Sequence, residues 1–197
     1  VTDAVMTLLT DKARFATSEQ VAAVLGTEPG ATARKLKALA KAGWVGGGTV
    51  VVRRPPVECP LMTDGDPASA AAAVAWKLET RWGHARPRPA RLWWATRRAA
   101  QLYGGRFSGV RQPLQVEHDL LLLDVLTRRP TATAAWEWFG EDDLRGRARE
   151  FGGKVPDAVV EKAGVRTVVE VGGQYSAERL EAFVAAMTRS RSAFEVW

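Results

Sequence analysis

Apolar side chains recur at helical spacing three times before Gly43. "DAVMTLLTDK" carries Val5, Met6, Leu8 and Leu9, the stripe of a short amphipathic helix. "TSEQVAAVLG" sets Thr17 three residues before Gln20, a capping-box spacing, and closes on Gly26, which suits the left-handed turn past a helix end. In "GATARKLKALAKAGWV" Leu36, Leu39 and Ala40 share one face, Arg34, Lys37 and Lys41 another, and Gly43 supplies the stop. "WVGGGTVVVRRPP" then predicts a tight Gly-rich turn, a β-branched strand and two arginines.

Further along, "PPVECPLMTDGDP" reads as an ordered loop or linker. "ASAAAAVAWKLETRW" is a strong helix former with Val74, Leu78 and Trp82 at four-residue steps. A strand follows at 91–96 and a short helix to Tyr103. "PLQVEHDLLLLDVLTRRP" is apolar on nearly every side, as a buried helix is. A strand at 134–139, a polar stretch and the strands "PDAVV" and "VRTVVEV" lead to the helix "YSAERLEAFVAAMTRSR", with Ser176 as N-cap and Leu180, Phe183, Val184 and Met187 at helical steps. "AFEVW" makes a terminal strand.

The expected fold class is therefore α+β, in two domains. Residues 1–112 take the layout of a winged helix-turn-helix, three helices and a hairpin, with an inserted helix in about 55–90. Residues 113–197 take the order αβββαβ. In a winged helix the third helix enters the DNA major groove and the wing reaches phosphates. The candidate contacts are Thr32, Arg34, Lys35 and Lys37 in the groove and Lys41, Arg53 and Arg54 on the backbone. Only Arg34 has the fork that suits guanine. A module of this layout also serves as a protein-docking unit, its basic helix simply solvated. Among the tryptophans, alternation puts Leu92 and Trp94 on one face and leaves Trp93 pointing away, toward a covering helix, a base or a partner.

Charge supports the division. Residues 1–112 carry 17 Lys/Arg against 8 Asp/Glu, a balance of +9, and 113–197 carry 11 against 14, or −3. A basic front half suits a polyanion partner. With 197 residues, 46% of them apolar, each half can bury its own core. Cys59 is the single cysteine, which excludes an intrachain disulfide and suits a reducing cytoplasm. No run of about 18 residues is free of charge, so no membrane partner is expected.

The order of the second half, with an acid in a strand beginning Pro-Asp and another in the next strand, resembles the core of the PD-(D/E)XK nuclease superfamily, a restriction-endonuclease-like fold. A two-residue turn at Ala163 and Gly164 would pair Lys162 with Val165 and set Asp157 opposite Glu170. A four-residue loop would make them diagonal neighbours on the same face. Two adjacent carboxylates need a cation between them, and a divalent metal such as magnesium would activate water for phosphodiester attack. Glu117 and His118 are candidates to complete such a site. The motif's lysine, two residues after the second acid, is here Gly172. Lys162 has the wrong strand parity, Lys154 precedes the strand, and Gln174 is the nearest polar group on that face. The expectation is a nuclease-like domain kept for binding or dimerisation, with no cofactor; magnesium enters only if it cuts.

Across the chain, "LWWAT", "EHDLLLLDVL", "WFGEDDLR", "VPDAVV" and "VVEVGGQYSAERLEAF" resemble the replication-relaxation family of plasmid and mobile-element proteins. The resemblance implies double-stranded DNA binding in replication, transfer or transcriptional control, with a homodimer and a relaxase or replication protein as further partners. Its most specific pieces are His118, the "PDA" at 156–158 and Glu170. The chain departs from it at Gly172, where the family pattern favours an acid, and in the insertion at 55–90. A metal-dependent nuclease or nickase targeted by the winged helix is the alternative.

Overall fold

A computed structural model describes residues 2–105, 107, 113–128 and 136–197. The chain is α+β. Helix α1 (Thr2–Thr7) runs into a π turn at Leu8–Lys12, followed by α2 (Ser18–Leu25), α3 (Pro29–Lys41) and strand β1 (Val45–Val52). Next come β2 (Met62–Thr63), α4 (Ala71–His84), β3 (Arg88–Ala95), α5 (Arg97–Tyr103) and α6 (Pro113–Thr127). The remainder is β4 (Trp136–Gly140), α7 (Glu141–Leu144), β5 (Ala158–Lys162), β6 (Val165–Glu170), α8 (Ala177–Ser190) and β7 (Ala193–Val196). Positions 134 and 135 of the strand expected at 134–139 lie outside the described residues.

The chain forms two compact units, and they do not meet at 112/113. One unit is Val1–Arg54 with Arg86–Thr131; the other is Pro55–Ala85 with Ala132–Trp197. Two expectations change together. The inserted helix, α4, belongs to the second unit, and α6 belongs to the first. The reason is apolar demand. α6 buries Val116 and Leu120 against Phe15, Val52 and Leu92, whereas α4 buries Val74 and Leu78 against Leu180, Phe183 and Val168. Redrawn this way, the charge asymmetry widens: the first unit has 17 Lys/Arg against 7 Asp/Glu, or +10, and the second 11 against 15, or −4.

Within the first unit the local signals act as the residues dictate. Thr17 and Gln20 form the reciprocal capping box, and Gly26 closes α2 in the left-handed conformation (φ 62°). Gln20 is buried, and its amide also donates to the Leu120 carbonyl and to Asp124, both at 2.8 Å, tying α2 to α6. The glycines 46–48 are not a turn. They lie inside β1, paired with β3 as Gly46↔Trp94, Gly47↔Trp93 and Gly48↔Leu92. A Cβ at Gly46 would come within 2.3 Å of Trp94 Nε1 and one at Gly47 within 2.8 Å of the Trp93 ring, so bare backbone gives the indoles room. Trp93 is buried, donating to Ser18 Oγ at 3.0 Å, and is therefore core.

The second unit is a five-stranded sheet in the order β2-β7-β6-β5-β4. β4, β5 and β6 form an antiparallel meander, β7 lies parallel to β6, and the two-residue β2, inside the stretch read as a linker, pairs antiparallel with β7. α4 and α8 share an apolar core with Val159, Val168, Phe194 and Val196. The polar stretch before β5 forms α7 and a 3₁₀ segment, Arg145–Phe151, whose Leu144 and Phe151 enter that core.

Candidate nucleic-acid interface and acid pair

α3 starts after Glu28, whose carboxylate accepts from Gly30 N (2.8 Å) and Ala31 N (2.6 Å). Those two bonds hold the Glu28 carboxyl below its ordinary pKa. They also place a fixed negative charge at the helix N-terminus, where a phosphate would otherwise be welcome. Leu36 and Leu39 anchor the helix on its buried side. Arg34, Lys37 and Lys41 project into solvent, and Lys35 is half-buried. Thr32 is not available for contact: it is 5% exposed, with its hydroxyl on the Glu28 carbonyl (3.0 Å) and against the Thr27 hydroxyl (2.8 Å).

The wing arginines are also placed differently from expectation. β1 and β3 are not joined by a tight turn, because the chain leaves β1 to build part of the second unit before returning at Arg88. Arg53 and Arg54 stand at that exit. Arg54 grips Asp124 of α6 through Nε and a terminal nitrogen, which neutralises it. Arg53 keeps an exposed side chain, while its backbone N–H donates to Glu117 Oε1 at 2.6 Å. Glu117 is 8% exposed, so its carboxylate serves the end of β1. Its neighbour His118 stands 3.6 Å from Asp119. Both sit on α6 in the first unit, not in the unit that holds the acid pair.

In the second unit the hairpin takes the two-residue form. Lys162 pairs with Val165, with Ala163 (φ 50°) and Gly164 (φ 77°) both left-handed, as a type I′ turn requires. The register runs to Ala158↔Val169, so the next step sets Asp157 opposite Glu170. Asp157 Oδ2 accepts from Val171 N at 2.8 Å. Glu170 is 1% exposed; its Oε1 receives Lys154 Nζ at 2.6 Å and the Tyr175 hydroxyl at 2.8 Å. Glu170 Oε2 is buried with no hydrogen-bond partner among the described residues. Burial first, and then the charge of Asp157, raise the Glu170 pKa, against the pull of Lys154 and Tyr175. Burial beside these carboxylates likewise pushes the Tyr175 phenol up.

Lys154 corrects the expectation that no ammonium reaches the pair. It precedes β5, so strand parity does not govern it, and the loop from Gly152 carries it over Phe183 at 4.6 Å from the ring centroid. No strand-period argument finds such a residue. Gly172 lies against α4. A Cβ there would meet Leu78 Cδ1 at 2.6 Å, and the Gly172 carbonyl accepts the Trp82 indole N–H at 2.9 Å. Leu78 of α4 thus stands where a side chain at 172 would enter.

One Glu170 oxygen is held by an ammonium and a phenol, and no group of three or more His, Cys, Asp or Glu side chains comes together among the described residues. An ammonium already supplies the positive charge that two adjacent carboxylates require. No helix among the described residues is long and apolar enough to cross a membrane. Compared with family models, with curated proteins and with solved structures, the chain finds no match in any of the three.

Proposed function

We propose that the protein binds double-stranded DNA through the first unit, a winged helix-turn-helix with α3 as its groove-facing helix. The second unit, on this reading, is a nuclease-like domain that does not cut. The observation that carries the reading is the division of α3: Leu36 and Leu39 are sealed into the unit while Arg34, Lys37 and Lys41 are exposed on the opposite face of a body with a balance of +10. Exposed cations of this kind exchange condensed counterions for phosphate contacts, and the forked guanidinium of Arg34 is the group suited to a guanine edge. The resemblance to the replication-relaxation family supplies the setting, replication, transfer or transcriptional control of a mobile element.

Fluorescence anisotropy on duplex fragments across a salt series tests this. Arg34→Ala with Lys37→Ala is expected to weaken binding by roughly a hundredfold and to lower the salt slope by about 2. Asp157→Ala should leave affinity unchanged. Unchanged affinity in the double variant would discard α3 as the reading helix. A parallel assay for nicking of supercoiled plasmid with magnesium or manganese tests the second unit: cleavage lost in Asp157→Ala and Glu170→Ala would replace a silent domain with a working nuclease.

A further inference from the structure

A winged helix ordinarily fixes its groove helix with phosphate contacts from the helix N-terminus and the wing tip. Here both places are taken. Glu28 fills the N-terminus of α3, the β1–β3 connection is given over to the second unit, and Arg54 is spent on Asp124. At the other end of α3 the surface is different. Thr96 caps α5, accepting from Ala99 N at 3.3 Å, while its own N–H donates to the Trp44 carbonyl at 3.1 Å and its hydroxyl lies 2.9 Å from the Gly43 carbonyl. The start of α5 is thereby fastened to the corner where α3 passes into β1. From that start Arg98 lays its guanidinium over the Trp44 ring, 4.2 Å from the centroid, while remaining exposed. Lys41, three residues before Trp44, is exposed on the last turn of α3.

We propose that Arg98, held over Trp44, forms with Lys41 the backbone-phosphate anchor that sets how α3 lies on a duplex. The inference rests on the duplex-binding reading above and adds the site that fixes its register. Stacking leaves the guanidinium edge free for a phosphate fork and removes most of the rotamer freedom that an unsupported arginine loses on binding. A phosphodiester contact is sequence-blind, so this patch contributes affinity and orientation, and Arg34 the choice of base.

The experiment uses the full chain and a set of unrelated duplexes at several salt concentrations. Arg98→Ala should weaken every duplex by a similar factor, roughly tenfold, and reduce the salt slope by about 1. Arg98→Lys keeps the charge and should restore the slope with only part of the affinity. Trp44→Leu keeps the arginine but removes its platform, and should cost about threefold at unchanged slope. Thermal melts of each variant separate lost binding from lost folding. An Arg98→Ala protein that matches wild type in affinity and slope, while the Arg34/Lys37 variant is impaired, overturns the anchor and leaves the duplex reading standing. Failure of the wild-type protein to bind any duplex overturns both.

Discussion

The two units use charge in opposite ways. In the first, cations stand in water on the face of α3 and at the start of α5, where each costs little to maintain and is free to meet a polyanion. In the second, Glu170 is taken out of water and must be held by Lys154 and Tyr175. An exposed charge tells a partner what to be, whereas a buried one tells the fold what to keep. Removing the exposed cations of the first unit should therefore alter binding with little effect on melting, and removing the buried charge of the second the reverse.

The largest effect expected from breaking this contrast comes from Lys154→Met. It leaves Glu170 without its cation, and the loss should be about 2–3 kcal/mol, less than for a wholly buried pair because Lys154 keeps 30% side-chain exposure. The acid itself gives a signature. Its folded pKa is raised above the ordinary 4.5, so the folded state holds that proton more tightly than the unfolded chain. The stabilisation is complete below about pH 4.5 and is lost as pH rises through the raised folded value. Urea melts of wild type against Glu170→Gln should show wild type losing ground as pH rises above about 4.5. Lys154→Met should carry that loss on to higher pH. A pH-independent difference would mean that the carboxylate is held as an ordinary surface group.

How legible these features were follows from the range of the interactions behind them. Thr17, Gln20, Gly26 and Ser176 act within a few residues of themselves, and each forms the cap its spacing announces. The Ala163–Gly164 turn is equally local, and it fixes the Asp157/Glu170 register at once. Nesting was not legible. Nothing between Pro55 and Ala85 states that its helix packs on α8, and nothing in "VGGGTVVV" states that the glycines face tryptophans more than forty positions away. Lys154 was missed for a related reason, since a loop residue has no periodicity to betray where its ammonium goes.

The glycine strand offers a second, smaller break. Gly46→Ala inserts a methyl where Trp94 Nε1 would lie 2.3 Å away. Overpacking of this sort costs about 1–3 kcal/mol, and it should appear as a lower melting temperature of the protein as a whole. Because the change lies within the sheet that backs α3, duplex affinity measured well below the melt should hold. Glycine in β1 kept for a turn, by contrast, would tolerate alanine far better on the pleat than at a left-handed position, with no clash against an indole.

Arg54 gives the smallest expected change and the sharpest use of the comparison, because it is a cation in the basic unit that behaves as a structural one. Its guanidinium spans from the exit of β1 to Asp124, which also receives the Gln20 amide, and both ends of the pair are only partly buried. Removing it in Arg54→Ala should cost no more than about 1 kcal/mol of stability. For duplex binding the expectation opposes that for Arg98. An arginine already neutralised by a carboxylate releases few counterions when DNA arrives, so affinity should fall by less than about threefold and the salt slope should stay within error of wild type. Should Arg54→Ala instead flatten the slope as Arg98→Ala is expected to, the ion pair must open on the duplex. The exit of β1 would then be a phosphate contact after all, and the anchor would be shared between the two ends of the wing.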